Sequence, residues 1–178
     1  MGYFYFIRHG QTEYNIAGKV CGASDAALTQ KGIAQAKELA AKLKEENIQA
    51  DRILSSPLKR ALCTAEYIAD ALGLKAEAEE RLKEQSFGRW EGTPNKAQEF
   101  LHAKTCFIDS YDGGESMFKV VYRVYDLLHE ITNDPDHVYI LVAHNGIARI
   151  IESYFHDMTN EQFSTYAVPN CSLIKYEF

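Results

Sequence analysis

Val138-Tyr139-Ile140-Leu141-Val142-Ala143, followed at once by His144-Asn145-Gly146, is the stretch on which the architecture turns. Its six residues are almost continuously apolar and rich in β-formers, the pattern of a parallel strand covered on both faces. After Gly146 the period changes: Ile147, Ile150, Ile151 and Tyr154 fall on one face of a helix. Before it, Val120, Val121, Val124, Leu127, Leu128 and Ile131 mark an amphipathic helix that starts near Glu115 and is stopped by Asn133-Asp134-Pro135.

The same alternation runs outward in both directions. Residues 3 to 8 are a short aromatic-rich strand, and Thr29 opens a helix with Ile33, Ala36, Leu39, Ala40 and Leu43 on one side. Residues 51 to 55 predict a second strand. Ser56-Pro57 reads as an N-cap with proline at the first helical position, Leu58, Leu62, Ala65, Ile68, Ala69 and Leu72 continue that helix, and Gly73 ends it. Residues 75 to 79 form a weak strand, and Ser172 to Phe178 a last strand at an edge. Residues 81 to 114 show neither period and read as an irregular cap.

Strands alternating with helices imply a mainly parallel sheet with helices on both faces, since parallel neighbours need crossovers. The expected fold is therefore α/β, a three-layer α/β/α sandwich. With 178 residues, 46% of them hydrophobic, and no repeat or linker, residues 1 to 178 are expected to form one domain with the cap inserted at about 81 to 114.

The formal charge of −6 argues against general affinity for nucleic acid or anionic membranes, so an anionic ligand needs a local basic pocket. The N-terminal apolar run is too short for a signal peptide or a membrane span. Cys21, Cys63, Cys106 and Cys171 are scattered without a Cys-x-x-Cys pair, so free thiols and a cytoplasmic location are the expectation.

In parallel sheets ligands bind outside the carboxyl ends of the strands. Arg8-His9 ends the first strand, Arg60 follows the second, Glu84 follows the third, and His144 closes the strongest; all fall on one edge. Arginine presents a planar fork to phosphate oxygens, and a helix N-terminus after Asn145-Gly146 adds backbone donors. A neutral imidazole can attack phosphorus once those oxygens are neutralised, and Glu84 is placed to protonate the leaving oxygen. His102, His129, His137 and His156 lie outside any motif and are read as structural.

These residues recur within longer motifs: Arg8-His9-Gly10-Gln11-Thr12 with Asn15; Leu28-Thr29 with Gly32 and Gln35-Ala36; Ser55-Ser56-Pro57-Leu58 with Arg60-Ala61 and Thr64-Ala65. Leu82 with Glu84, Phe87-Gly88 and Trp90-Glu91-Gly92 follows, then Gly113-Gly114-Glu115-Ser116, then Val142-Ala143-His144 with Gly146 and Arg149. In this order they resemble the histidine phosphatase superfamily, also called phosphoglycerate-mutase-like, along the whole chain.

The resemblance implies that His9 is phosphorylated, that Arg8, Arg60 and His144 grip the phosphoryl oxygens, and that Asn15 is a further phosphate contact. It makes Glu84 the proton donor and the backbone amide of Asn145 a cap on the transferring group. It implies a phosphatase of small phosphorylated metabolites with no cofactor and no metal. A mutase returning the phosphoryl group to a sugar-acid acceptor is the alternative, disfavoured by the short interval between Glu84 and His144. A facial triad of two histidines and one carboxylate holding a divalent metal is a third reading, set against by the neighbouring arginines. A non-catalytic binder of phosphorylated ligands is the fourth. Oligomeric state is left open, with a homodimer as the candidate assembly.

Overall fold

The computed structural model describes residues 2–178. Five strands form one sheet: β1 (Tyr3–Arg8), β2 (Arg52–Ser55), β3 (Ala76–Ala78), β4 (Tyr139–Ala143) and β5 (Leu173–Glu177), in the spatial order β3-β2-β4-β1-β5. The first four run parallel, and β5 closes the edge beside β1 in the antiparallel sense. This is the expected α/β architecture.

The register fixes where chemistry can happen. β1 and β4 pair from Phe4 opposite Tyr139 to Arg8 opposite Ala143, so the residues that follow each strand, His9 and His144, leave the sheet side by side. The ladder continues one step further, with the His9 amide donating to the Ala143 carbonyl at 3.0 Å. On the other side of β4, Ser55 stands opposite Val142, and the Ser56 amide donates to the Val142 carbonyl at 2.9 Å.

Among the described residues there are seven helices, α1 (Glu13–Ala17), α2 (Gln30–Glu45), α3 (Lys59–Leu72), α4 (Gln98–Ala103), α5 (Met117–Thr132), α6 (Asn145–Phe155) and α7 (Asn160–Thr165), of which α2 and α3 cover one face of the sheet and α5 and α6 the other. Side chains alternate across a strand, and the core divides accordingly. Ile53, Ile140 and Val142 pack with Leu39 and Leu43 of α2 and Ala61, Ala65 and Ile68 of α3. Leu54, Leu141 and Ala143 pack with Val120, Val124 and Leu128 of α5 and Ile147, Ile150 and Ile151 of α6. Every residue of β4 is buried, which is why its sequence is unbroken by polar positions.

Two expectations are corrected. The helix after β2 begins at Lys59 with Leu58 as its N-cap, not at Ser56-Pro57. The Ser56 hydroxyl does accept from the Leu58 amide, at 3.3 Å, but its other bond goes to His144, so the residue belongs to the sheet edge. The cap is also more ordered than its sequence reads. It holds short 3₁₀ turns at Glu80–Leu82 and Gly88–Trp90 and the helix α4. Phe100 joins Phe87 and Trp90 at centroid distances of 5.3 and 5.9 Å, and Phe87 meets Tyr111 at 5.9 Å, a small core that replaces the missing periodicity. The short helices α1 and α7, both closed by capping boxes at Thr12 and Thr159, escape sequence reading because neither buries a face. Among the described residues no helix is long and apolar enough to cross a membrane.

Candidate active site

The two strand-end histidines meet. Their ring centroids are 5.1 Å apart at an interplanar angle of 60°. His9 Nδ1 lies 2.7 Å from the Gly10 carbonyl, which can only accept, so Nδ1 carries the proton and Nε2 keeps its lone pair. His144 Nε2 pairs with the Ser56 hydroxyl at 2.7 Å, while its Nδ1 is buried without a partner. Burial first, and then the charge of Arg60, hold both imidazoles well below their ordinary pKa; Arg8 adds to the effect, as does His9 on His144. Both rings are therefore neutral at neutral pH.

Arg60 is 1% exposed, yet no carboxylate holds it. Its two terminal nitrogens donate to the carbonyls of Ser24 and Gly22, each at 2.7 Å, and its Nε has no partner. Arg8 is anchored in the same way by the Val168 carbonyl, with Nε again unpaired. Carbonyl anchoring fixes the guanidinium planes while leaving their charge uncompensated, the condition for binding an anion.

The loop that holds Arg60 is itself held by Glu91. That carboxylate accepts from the amides of Gly22 at 3.0 Å, Ala23 at 3.0 Å and Ser24 at 3.3 Å, from the Ser24 hydroxyl at 2.6 Å, and from the Phe87 amide at 2.9 Å. Burial alone would raise its pKa, but the Ser24 hydroxyl and the amides outweigh it and keep Glu91 below the usual carboxylate range. A side chain at Gly22 would collide with this carboxylate. The sequence motif contains Glu91, but nothing local to it reveals that all its partners except the Phe87 amide lie some seventy residues upstream.

Glu84 is buried against the start of α6. One oxygen accepts from the Gly146 amide at 2.9 Å and the other from the Gln85 amide at 3.0 Å. Gly146 is needed for this: a Cβ there would fall on the Glu84 carboxylate. Asn145 takes the first helical position, and its side chain turns away from the site to bind the Tyr166 carbonyl at 3.1 Å and the Val168 amide at 2.9 Å. This staples the segment whose Val168 carbonyl anchors Arg8. Asn15 sits in α1, where its Oδ1 accepts from the Thr12 amide at 3.0 Å; the capping box uses its oxygen and leaves its NH₂ group as a donor.

A cavity of about 150 Å³ opens here. Arg8, His9, Asn15, Glu84 and Asn145 reach its wall. Arg60 and His144 lie one layer deeper, buried beside His9, each keeping a ring or guanidinium nitrogen without a partner. The expected ring of groups around one phosphoryl-sized space is thus split into a lining and a layer beneath it. The wall also contains Lys104 and Arg149, neither of which sequence reasoning gave a role. Among the described residues no three His, Cys, Asp or Glu side chains are grouped so as to hold a metal ion.

Comparison with known proteins agrees with this geometry. The chain is 36% identical over 152 residues to a probable phosphoglycerate mutase of Proteus mirabilis, covering 81% of this chain and 69% of the relative. It is 29% identical over 174 residues to phosphoserine phosphatase 1 of Hydrogenobacter thermophilus, covering 93% and 82%. Among solved structures, a phosphoserine phosphatase of Entamoeba histolytica in complex with 3-phosphoglyceric acid superposes with a TM-score of 0.84 at 28% identity, covering 100% of this chain and 91% of the other. A mycobacterial glucosyl-3-phosphoglycerate phosphatase gives 0.83 at 26% identity, covering 98% and 89%. Residues 4–178 match the histidine phosphatase superfamily (branch 1), and the chain, with two neutral histidines meeting between carbonyl-anchored arginines, belongs to that superfamily of enzymes.

Proposed function

We propose that this enzyme hydrolyses small phosphate monoesters through a phosphohistidine on His9, with Glu84 as general acid and then general base. One observation carries the reading: His9 is a neutral imidazole whose Nδ1–H is committed to the Gly10 carbonyl, so its Nε2 lone pair is available at the cavity wall beside Arg8.

The arginines offset the negative charge that repels a nucleophile from a phosphate dianion. His9 Nε2 attacks phosphorus and the P–O ester bond breaks. The departing alkoxide takes a proton from Glu84, which lies on the same cavity. Water then gives its proton to Glu84 while its oxygen attacks phosphorus, the P–N bond breaks, and inorganic phosphate leaves with His9 neutral again. The Nδ1 proton never moves. The unpartnered Arg60 Nε and His144 Nδ1, the Asn15 NH₂ group and the Asn145 amide are the donors left over for the transferring oxygens. None of these steps calls on a metal, and turnover is expected to survive EDTA.

A mutase reading is favoured by one finding, the name of the Proteus mirabilis relative. Isomerisation of 3-phosphoglycerate in the presence of its bisphosphate, faster than phosphate release, would establish it.

The phosphatase reading is tested by rapid mixing with a radiolabelled ester and alkaline quenching, since a phosphoramidate is acid-labile. Label is expected on His9. His9→Gln is expected to carry none and to lose about 10³-fold or more in kcat, as for other covalent nucleophiles. Label on another residue, or full turnover in His9→Gln, would overturn the mechanism.

A further inference from the structure

The two histidines of the site hold opposite nitrogens in reserve, and each is committed to one partner. His9 gives Nδ1–H to the Gly10 carbonyl at 2.7 Å and keeps its Nε2 lone pair free. His144 commits Nε2 to the Ser56 hydroxyl at 2.7 Å and keeps Nδ1 without a partner. A carbonyl can only accept, so Gly10 dictates where the His9 proton sits. A hydroxyl can donate or accept, so the direction of the Ser56–His144 bond follows from what else that hydroxyl touches.

Ser56 and His144 are both fully buried, out of reach of bulk water. A hydroxyl has one proton and two lone pairs. One lone pair of Ser56 takes the Leu58 amide at 3.3 Å, and the neighbouring Ser55 hydroxyl is turned instead to the Ser56 carbonyl at 2.9 Å. Among the described residues His144 Nε2 is the acceptor that the Ser56 proton meets. Were Nε2 itself protonated, both lone pairs of Ser56 would be taken, and its own proton would be buried without an acceptor. His144 would then hold a bare lone pair at Nδ1, which repels the oxygens of a phosphate. With the Ser56 proton given to Nε2, every one of these groups is satisfied except Nδ1–H, which is left as a donor. The arrangement is fixed by the sheet, since the Ser56 amide donates to the Val142 carbonyl at 2.9 Å, two residues before His144 on the same strand.

We propose that Ser56 is a positioning residue that selects the Nδ1–H tautomer of His144, and so makes that ring a hydrogen-bond donor to the transferring phosphoryl oxygens. This rests on the phosphatase reading of the site and deepens it. Burial and the charge of Arg60 keep the His144 ring neutral, so it has one proton to place and the choice of nitrogen decides its role. Two imidazoles with centroids 5.1 Å apart are thereby assigned different work, His9 as nucleophile and His144 as donor.

The test is NMR of the chain labelled with nitrogen-15 histidine, in which protonated and bare ring nitrogens resonate apart. Among the six histidines, the signals of His144 are those that His144→Gln lacks. Wild type is expected to show Nδ1–H alone, and Ser56→Ala to show Nε2–H as well. Ser56→Ala is expected to lose about 10- to 100-fold in kcat, less than the loss of an oxyanion donor outright because the ring still visits the productive form. A serine that merely packs would cost the same in any background. One that acts through the ring costs nothing once the ring is gone, so Ser56→Ala is expected to add less than about 3-fold to His144→Gln. Nε2–H in wild type, Nδ1–H alone in Ser56→Ala, or full addition of the two losses overturns the assignment. Should Ser56→Ala fail to fold, the wild-type ring decides alone. Label on His9 tests the phosphatase reading separately: Nδ1–H on His144 without label sinks the reaction and keeps the tautomer, while label with Nε2–H sinks the tautomer alone.

Discussion

The floor of the cavity and its roof are built on different physical terms. The floor is the sheet edge, where Arg8, His9, Ser56 and His144 are located by backbone ladder bonds and by carbonyls that hold the guanidinium groups. The roof is the segment from about residue 81 to 114 with α6 and α7 behind it, where Lys104 and Arg149 are located by aromatic packing. A ladder leaves little freedom in position, which suits a reaction common to all esters. Packing of short helices and turns is easily varied, which suits the choice among esters. The comparison predicts that damage to the floor lowers turnover of every substrate alike, and damage to the roof re-sorts them.

After loss of the nucleophile itself, the largest effect should come where floor and acid touch. Gly146→Ala puts a methyl group on the Glu84 carboxylate at the first turn of α6. Displacing the acid removes general acid catalysis, worth typically 10²- to 10⁴-fold, so kcat is expected to fall by about 10²-fold or more for all esters. An ester with a good leaving group, such as p-nitrophenyl phosphate, needs less protonation and should suffer least. Equal losses for good and poor leaving groups would count against Glu84 as the acid.

Glu91 is the residue that crosses the comparison. It lies in the cap by sequence, but its five donors are mostly in the loop whose carbonyls grip Arg60. It is expected to behave as part of the floor. Glu91→Gln keeps the shape and loses the charge-assisted bonds, loosening Arg60; a loss of about 10-fold in kcat/KM, equal for 3-phosphoglycerate and glycerol 3-phosphate, is expected for a shift of that size. A change in the ratio between the two esters would place Glu91 with the roof and weaken the division.

The same division explains what could be read in the sequence. Strand β4 and the residues at the strand ends are legible because a fully buried parallel strand has a distinct composition, and because ligands gather where such strands stop. His9 and His144 therefore follow from pattern alone, and Glu84 follows from its motif. The roof is illegible for the opposite reason. α4 has only six residues, two of them buried, too few for a period, and α1 buries none. The Ser56-Pro57 expectation failed because the serine's hydrogen bonds are shared with His144 across the sheet, a competition no local rule contains. Arg149 was visible as a motif residue, but its place on the cavity wall is something only three-dimensional neighbours reveal.

The smallest effect separates floor from roof by pH. His9 and His144 are held neutral below their ordinary pKa of 6.5, so below pH 6.5 the unfolded chain binds more protons than the folded one. Stability therefore falls as the medium is acidified through that value, by up to about 1.4 kcal/mol per pH unit for each ring. On the roof, burial foremost, then Arg149, lowers Lys104 from 10.5 to about 8, against the opposing pull of Glu84. Between those values the folded chain has released a proton that the unfolded chain keeps, so this group's contribution rises with pH. Partial exposure of Lys104 makes the alkaline effect the weaker of the two. The measurement is the difference in thermal midpoint between wild type and variant across pH 5 to 10.5, which cancels the cysteines and tyrosines that titrate in both. His144→Gln should flatten the acid limb only, and Lys104→Met the alkaline limb only. A variant that flattens the other region's limb would show that floor and roof are electrostatically one unit, and that selectivity cannot be altered without altering the reaction.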